Sequence, residues 1–318
     1  MLAAAVEILW AANLAVRYEL GRLFARIMRL FRVGQAAPEP EPLEPLLPLE
    51  PRDGWRVIYF DAANRGECLR LILASQDVPF EDVRLEFPAG LLPYKSAALG
   101  DASPLAFDQA PVVQHARGGA CVSVAQTVAA AQYCGLATGL APSDPAALSL
   151  ATSACCSIQE MYNELYYGSW LARYFCDAVC PGRNCLGLCV CYATARYRMT
   201  AKHTRWCETF ERWLRKQPAV GGVAFLAGGA LSFADLCFFD CVEGFEACGY
   251  LHPADRAAYP LVGALVRHCA ALPSVARYLA RREPRFETAP PRGFVHPRGT
   301  RGATPWSRTA ARRKGKAA

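Results

Sequence analysis

The spacing of apolar residues changes near residue 140, and this change limits the fold more than any other feature of the sequence. Upstream of it, short β-branched and aromatic runs alternate with helical patterns, whereas every downstream pattern is helical. We therefore expect an α/β module of order βαβ then ββα, followed by an all-helical domain. The upstream strands are predicted at Trp55–Phe60, Glu81–Phe87, Val112–His115 and Cys121–Val124, with helices through Leu69–Leu73 and from Gln126 to about Gly135.

The chain is long enough for two cores, with 318 residues of which 53% are apolar. We place the α/β domain at residues 54–137 and the helical domain at residues 138–287. The helical patterns cover residues 145–175, 193–216, 232–248, 260–271 and 274–282.

The two ends of the chain differ from the body. Residues 1–35 are predicted to form an amphipathic leader helix, because Arg22 and Arg26 share a face opposite apolar residues. This helix either binds a membrane surface, directs the chain to an organelle, or docks on protein. Residues 36–53 are rich in Pro and Glu and predict an extended linker of roughly 40 Å. Residues 288–318 are basic and have nothing periodic to bury, which is typical of a disordered tail.

The net charge of +7 does not belong to the body of the chain. The tail holds eight Lys or Arg residues and no acid, the first 33 residues contribute +3 and the linker contributes −4, so residues 54–287 sum to zero. Phosphate binding requires clustered cations. The folded body is therefore not expected to bind nucleic acid.

The fifteen cysteines are an odd number and favour a reducing compartment over a disulfide framework, which indicates a cytoplasmic protein. One cluster invites a zinc interpretation, yet it lacks paired C-x-x-C spacing, so no metal site is predicted. Its members are Cys176, Cys180, Cys185, Cys189 and Cys191.

Four motifs follow one another along residues 59–236, within a stretch of about 230 residues. They are Tyr59-Phe60 with Arg65-Gly66-Glu67 and Leu69-Arg70, then Gln109-Ala110-Pro111-Val112-Val113, then Gln126-Thr127, and finally Leu231-Ser232-Phe233-Ala234-Asp235-Leu236. In order and spacing they resemble the tyrosine-type glutathione transferases, the alpha, mu, pi and sigma-like classes. The resemblance implies the glutathione-transferase fold, in which a thioredoxin-like domain holds glutathione and an all-helical domain shapes the pocket of the second substrate.

The implied reaction conjugates the thiolate of glutathione to small hydrophobic electrophiles, with glutathione as a substrate. By the resemblance, Tyr59 donates its hydroxyl to the thiolate. Arg65 contacts glutathione or supports the site electrostatically. Gln109, Ala110 and Pro111 form a loop with a cis proline, where the backbone groups of Ala110 pair with the cysteinyl segment.

Gln126 and Thr127 open a helix and are similar to the Gln-Ser pair that receives the γ-glutamyl end of glutathione. Lys95 is the candidate partner of the glycyl carboxylate, although its spacing to Gln109 is longer than in the family. Ser232 and Asp235 match the capping box of the helical domain, in which removal of the cap should cost about 1 kcal/mol.

Two positions depart from the family pattern. Asn64 replaces a glycine, and Asn is the next residue most able to adopt a positive φ. Ala154 stands where the family commonly places an acid from the neighbouring subunit, which weakens the homodimer that the resemblance implies.

Simpler interpretations stay open for each site. Tyr59 is then an ordinary strand aromatic, Arg65 a solvated charge, and Gln126 and Thr127 an ordinary helix start. The chain would then be a non-catalytic transferase-like binding or scaffold module, tethered by its leader helix. A third alternative uses Cys68 as a redox nucleophile.

Overall fold

A computed structural model describes residues 53–61, 63–85, 89–179, 204–247 and 255–282. The predicted leader helix, the linker up to residue 52 and the basic tail lie outside these residues. Nearly all of the cysteine cluster and the start of the helix predicted at 193–216 also lie outside them. In the described part of the chain, no helix is both long enough and apolar enough to cross a membrane.

The first part of the chain forms a four-stranded mixed sheet in the order β2-β1-β3-β4. Strand β1 pairs with β2 in parallel and with β3 antiparallel, and β3 pairs antiparallel with β4 through the turn at Gly118-Gly119. This is the βαβ then ββα order that the sequence predicts. The strands are β1 Gly54–Phe60, β2 Phe80–Leu85, β3 Val112–Arg117 and β4 Ala120–Ala125.

Helices supply the remaining layers, and the predicted fold class, a thioredoxin-like domain with an all-helical domain, is confirmed. A small hairpin, β5 Ala219–Val220 with β6 Val223–Ala224, was not predicted, nor were the short 3-10 turns between β2 and β3. The helices are α1 Asn64–Ser75, α2 Ser96–Leu99, α3 Thr127–Thr138, α4 Pro145–Val179, α5 at residues 204–214, α6 Phe233–Ala247, α7 Pro260–Ala271 and α8 Pro273–Arg281.

The predicted end of α3 near Gly135 is wrong, because the helix continues to Thr138. Gly139 ends it in the left-handed region, with a φ of 80°. Gly135 lies inside the helix for a packing reason: a Cβ there would lie 2.6 Å from Cδ1 of Phe233. The glycine marks close contact with α6 and not a helix end.

Alternation along β1 sends side chains into two cores. Val57 belongs to the larger core, which continues from the sheet into the helical domain. Ile58 belongs to a smaller core on the other face, together with Leu91 and Leu105 from the segment between β2 and β3. Helix α1 packs against α3, α6 and α8 and so joins the two parts of the chain.

Charged residues are buried where α1 meets β2 and α8. Arg70 Nη1 bonds Glu67 Oε2 at 3.2 Å, and Arg70 Nε bonds Asp82 Oδ1 at 2.8 Å. Glu67 Oε1 accepts the hydroxyl of Tyr278 at 3.1 Å and a guanidinium N–H of Arg282 at 2.7 Å. This network ties the sheet domain to the last described helix.

The side chain of Asp235 caps the start of α6. Its Oδ2 accepts the backbone N–H and the hydroxyl of Ser232 at 2.8 and 2.7 Å, and its Oδ1 accepts the backbone N–H of Leu226 at 2.8 Å. The Ser232 hydroxyl thus donates to Asp235, while the Asp235 backbone N–H reaches the Ser232 carbonyl. Burial raises the pKa of Asp235 to about 6 despite these bonds, which lower it.

The start of α7 is capped by a residue fifty positions upstream. Glu211, buried on α5, accepts the backbone N–H groups of Leu261 and Val262 with Oε2, each at 3.0 Å. A carboxylate at this end of a helix also interacts favourably with its positive pole.

Replacement of Glu211 by alanine should therefore lower the free energy of unfolding by about 1–3 kcal/mol, since one buried and one partly buried N–H group lose their acceptor. Glu208→Ala on the same helix is the matched control, because Glu208 is exposed, and its effect should stay within about 0.5 kcal/mol. Denaturant unfolding of the two variants measures the difference. Equal destabilisation would show that the capping bonds contribute nothing.

Candidate functional site

The strand register brings three of the predicted site segments to one edge of the sheet. Ile58 of β1 pairs with Val112 of β3, and Val112 pairs with the last residue of β4. Tyr59 and Gln126 come one position after this row on β1 and β4, and Pro111 comes one position before it on the antiparallel β3. The end of β1, the turn before β3 and the start of α3 therefore meet at the same edge.

Tyr59 is held against the first turn of α1. Its side chain is only 5% exposed. A Cβ added to Gly66 would lie 2.6 to 2.8 Å from Cδ1, Cγ and Cβ of Tyr59. Only glycine at position 66 allows the Tyr59 ring to lie where it does. The Phe60 ring is tilted against that of Tyr59, with centroids 5.3 Å apart.

Asn64 begins α1 with a φ of 35°. A positive φ is expected at this position, because the family usually has glycine there. Arg65 follows it and donates from Nη2 to the side-chain oxygen of Asn163 on α4. Arg65 is thus a link between the sheet domain and the helical domain. Sequence reasoning missed Asn163.

The turn before β3 has the backbone form that the resemblance implies, because the peptide bond between Ala110 and Pro111 is cis. Pro111 is buried, whereas Gln109 is exposed. The side chain of Gln109 accepts a hydrogen bond from Gln126 Nε2 at 2.6 Å. The predicted cysteinyl and γ-glutamyl segments are therefore in direct contact.

The start of α3 is formed by a residue in an uncommon conformation. Gln126 has a φ of 70°, and its carbonyl accepts the N–H of Ala130 at 2.9 Å as the helix begins. Thr127 is the first helical residue and is buried. The free N–H groups of a helix start and the positive pole of the helix suit a carboxylate.

Lys95 directly precedes α2 and is partly exposed. Its neighbour Ser96 donates its backbone N–H and its hydroxyl to the Asp108 carboxylate, at 2.5 and 2.6 Å. These bonds lower the pKa of Asp108, and the charge of Lys95 lowers it further. Sequence reasoning missed Ser96 and Asp108, although Asp is a frequent acceptor at helix starts.

Cys68 does not suit the role of a redox nucleophile. Its side chain is 3% exposed. A hydrogen bond with Cys237 and burial raise the pKa of Cys68 well above its ordinary value, so the thiolate is disfavoured at neutral pH. Among the described residues, no three His, Cys, Asp or Glu side chains are grouped to hold a metal ion.

Comparison with known proteins gives one family match. Residues 193–282 match the family model described as the C-terminal domain of glutathione S-transferase. No curated protein matches the chain in a sequence search.

Solved structures share the fold at low sequence identity. Prostaglandin synthase D of Nilaparvata lugens is 22% identical with a TM-score of 0.53, and the match covers 73% of this chain and 99% of that one. The glutathione S-transferase from Ascaris lumbricoides is 22% identical with a TM-score of 0.53, and the match covers 73% of this chain and 98% of that one. The monomeric Na-GST-3 of the hookworm Necator americanus is 21% identical with a TM-score of 0.51, and the match covers 73% of this chain and 100% of that one. The family match confirms the resemblance over residues 193–282, and the likeness to these solved structures shows that the chain has the glutathione S-transferase fold.

Proposed function

We propose that this chain is a glutathione transferase that conjugates the thiolate of glutathione to small hydrophobic electrophiles. The observation that carries the proposal is the meeting of Tyr59, the cis Pro111 turn and the start of α3 at one sheet edge. A hydroxyl, an extended backbone segment and a helix start are the three groups that a thiol-bearing γ-glutamyl peptide requires. The helical domain then supplies the electrophile pocket.

The main chemical task of such a site is to ionise a thiol. A free thiol has a pKa near 8.5, so only a few per cent is thiolate at neutral pH. Lowering this pKa by two units requires about 2.7 kcal/mol. A hydrogen bond to a charged acceptor contributes roughly 1.5–3 kcal/mol, so the hydroxyl of Tyr59 alone nearly meets the requirement.

The remaining residues bind and orient the peptide in this proposal. The backbone groups of Ala110 pair with the cysteinyl segment, and Thr127 with the start of α3 takes the γ-glutamyl carboxylate. Lys95 attracts the glycyl carboxylate. Arg65, held by Asn163, adds positive charge beside the first turn of α1.

A cytoplasmic homodimer is part of the same proposal, because the cysteine content favours a reducing compartment and the resemblance to the family implies a dimer. Phe107, next to the Gln109 turn, is 77% exposed and offers an apolar contact for a second copy. Ala154 is buried in the larger core of its own subunit, so this position adds no charge to a neighbouring site. Membrane-surface attachment would rest on residues 1–33, which lie outside the described residues.

The Gly66→Ala variant tests the proposal, since its added methyl group must displace the Tyr59 ring. We expect conjugation of an activated aromatic halide to fall about 10- to 100-fold, because small misplacements of catalytic groups have effects of this size. Activity assays and retention on immobilised glutathione are the measurements. Overpacking should also reduce stability by about 1–3 kcal/mol.

Gly135→Ala is the matched control, because its Cβ would meet Phe233 at the same 2.6 Å on a different helix. It should lose similar stability and keep its activity. Equal losses of activity in both variants would count against a role for Tyr59. A wild-type protein that neither binds glutathione nor conjugates it would favour the non-catalytic module.

A further inference from the structure

Asp108 joins two segments that are proposed to bind different parts of glutathione. Its Oδ1 accepts the Ser96 backbone N–H at 2.5 Å, and its Oδ2 accepts the Ser96 hydroxyl at 2.6 Å. Ser96 follows Lys95, and Asp108 precedes Gln109. The two-bond contact therefore fixes the start of α2, with Lys95, against the turn before β3.

A second contact extends this link to α3. Gln109 Oε1 accepts a hydrogen bond from Gln126 Nε2 at 2.6 Å. The proposed glycyl segment is therefore bonded to the cysteinyl segment through Ser96 and Asp108. The cysteinyl segment is in turn bonded to the γ-glutamyl segment through Gln109 and Gln126. If one segment moves, the hydrogen bonds move the neighbouring segment with it.

The backbone at Asp108 is adapted to this contact. Phe107 and Asp108 have φ values of 62° and 53°, a region that costs free energy for residues other than glycine. The Phe107 side chain is exposed, so packing within its own subunit does not explain the conformation. Asp is among the residues that enter this region most readily, and its carboxylate makes both bonds to Ser96.

We propose that Asp108 is a positioning residue that places Lys95 for the glycyl carboxylate of glutathione. The inference rests on the proposed function and deepens it at one subsite. Asp108 touches no reacting atom and acts through Ser96 and α2. The spacing from Lys95 to Gln109 is longer than in the family, and the two bonds between Ser96 and Asp108 hold the ends of this longer stretch together.

Two ligands separate positioning of Lys95 from a general structural role. Glutathione carries the glycyl carboxylate, whereas γ-glutamylcysteine lacks the glycine and ends in a carboxylate one residue earlier. For Asp108→Asn, calorimetric titration should show about tenfold weaker binding of glutathione and less than a twofold change for γ-glutamylcysteine. The kcat at saturating glutathione and the pKa of its bound thiol should not change.

Two further variants control for charge. Ser96→Ala removes one bond and keeps the carboxylate, and it should weaken glutathione binding about threefold. Asp101→Asn removes an exposed charge from the same segment and should leave both affinities unchanged. If Asp108 acted only as a negative charge beside Lys95, its removal would strengthen glutathione binding.

The outcomes distinguish this inference from the proposed function. Equal weakening of both ligands by Asp108→Asn, or no weakening of glutathione, would overturn the positioning role. A wild-type chain that binds neither ligand would instead overturn the proposed function.

Discussion

Replacement of Glu67 by alanine is expected to lower the free energy of unfolding by about 3 kcal/mol, because the guanidinium groups of Arg70 and Arg282 each lose one carboxylate and keep another. Glu67 is 1% exposed and contacts Arg70, Tyr278 and Arg282. Two of these partners lie on or directly after α8, so the loss also loosens the contact between the two domains. Denaturant unfolding followed by tryptophan fluorescence measures the effect.

Glu81→Ala is the matched control, since it also removes a glutamate that binds an arginine. Glu81 pairs with Arg56 at 2.9 Å, but 47% of its side chain is exposed. Water screens such a pair, so the expected loss is below about 1 kcal/mol. Similar losses in the two variants would contradict the importance of burial in the Glu67 network.

Replacement of Tyr59 by phenylalanine should lower kcat/KM for conjugation about 10- to 100-fold at neutral pH. One hydrogen bond to a charged acceptor contributes roughly 1.5–3 kcal/mol, and 1.36 kcal/mol corresponds to a factor of ten. The ring remains against Gly66, so the fold should stay intact. Steady-state kinetics over a range of pH are the measurement, and the loss should shrink as the pH approaches the pKa of the free thiol.

Tyr133→Phe serves as the control for loss of a tyrosine hydroxyl. Tyr133 lies on α3, and its hydroxyl is 3.0 Å from His115 Nδ1. We expect unchanged conjugation in this variant, because His115 lies beyond the row that carries the site, toward the other end of β3. If Tyr133→Phe lost activity and Tyr59→Phe did not, Tyr59 would not be the catalytic tyrosine.

The parts of the fold that are local in sequence could be predicted. Strand and helix periodicity predicted the order of the elements, and the resemblance to the transferase family predicted a common site for Tyr59, Pro111 and Gln126. The positive φ of Asn64 followed from the short list of residues that adopt it. The end of α3 was mispredicted, because the reason for Gly135 is Phe233, nearly one hundred residues away.

Contacts between distant residues could not be predicted in this way. Arg65 meets Asn163 at a separation of 98 residues, and Glu211 reaches the start of α7 at a separation of 50. Even the bond between Ser96 and Asp108 spans twelve residues of irregular chain. Such contacts depend on the tertiary path of the backbone, on which periodicity and motif spacing carry no information.

The pKa of the glutathione thiol bound to the protein tests the central claim most directly. It is measured as the ultraviolet absorbance of the thiolate during a pH titration of the complex, for wild type and for Tyr59→Phe. If the Tyr59 hydroxyl stabilises the thiolate, the thiol pKa lies about two units below 8.5 in wild type and returns to within about one unit of 8.5 in the variant. Equal thiol pKa values in the two complexes would contradict this role of Tyr59.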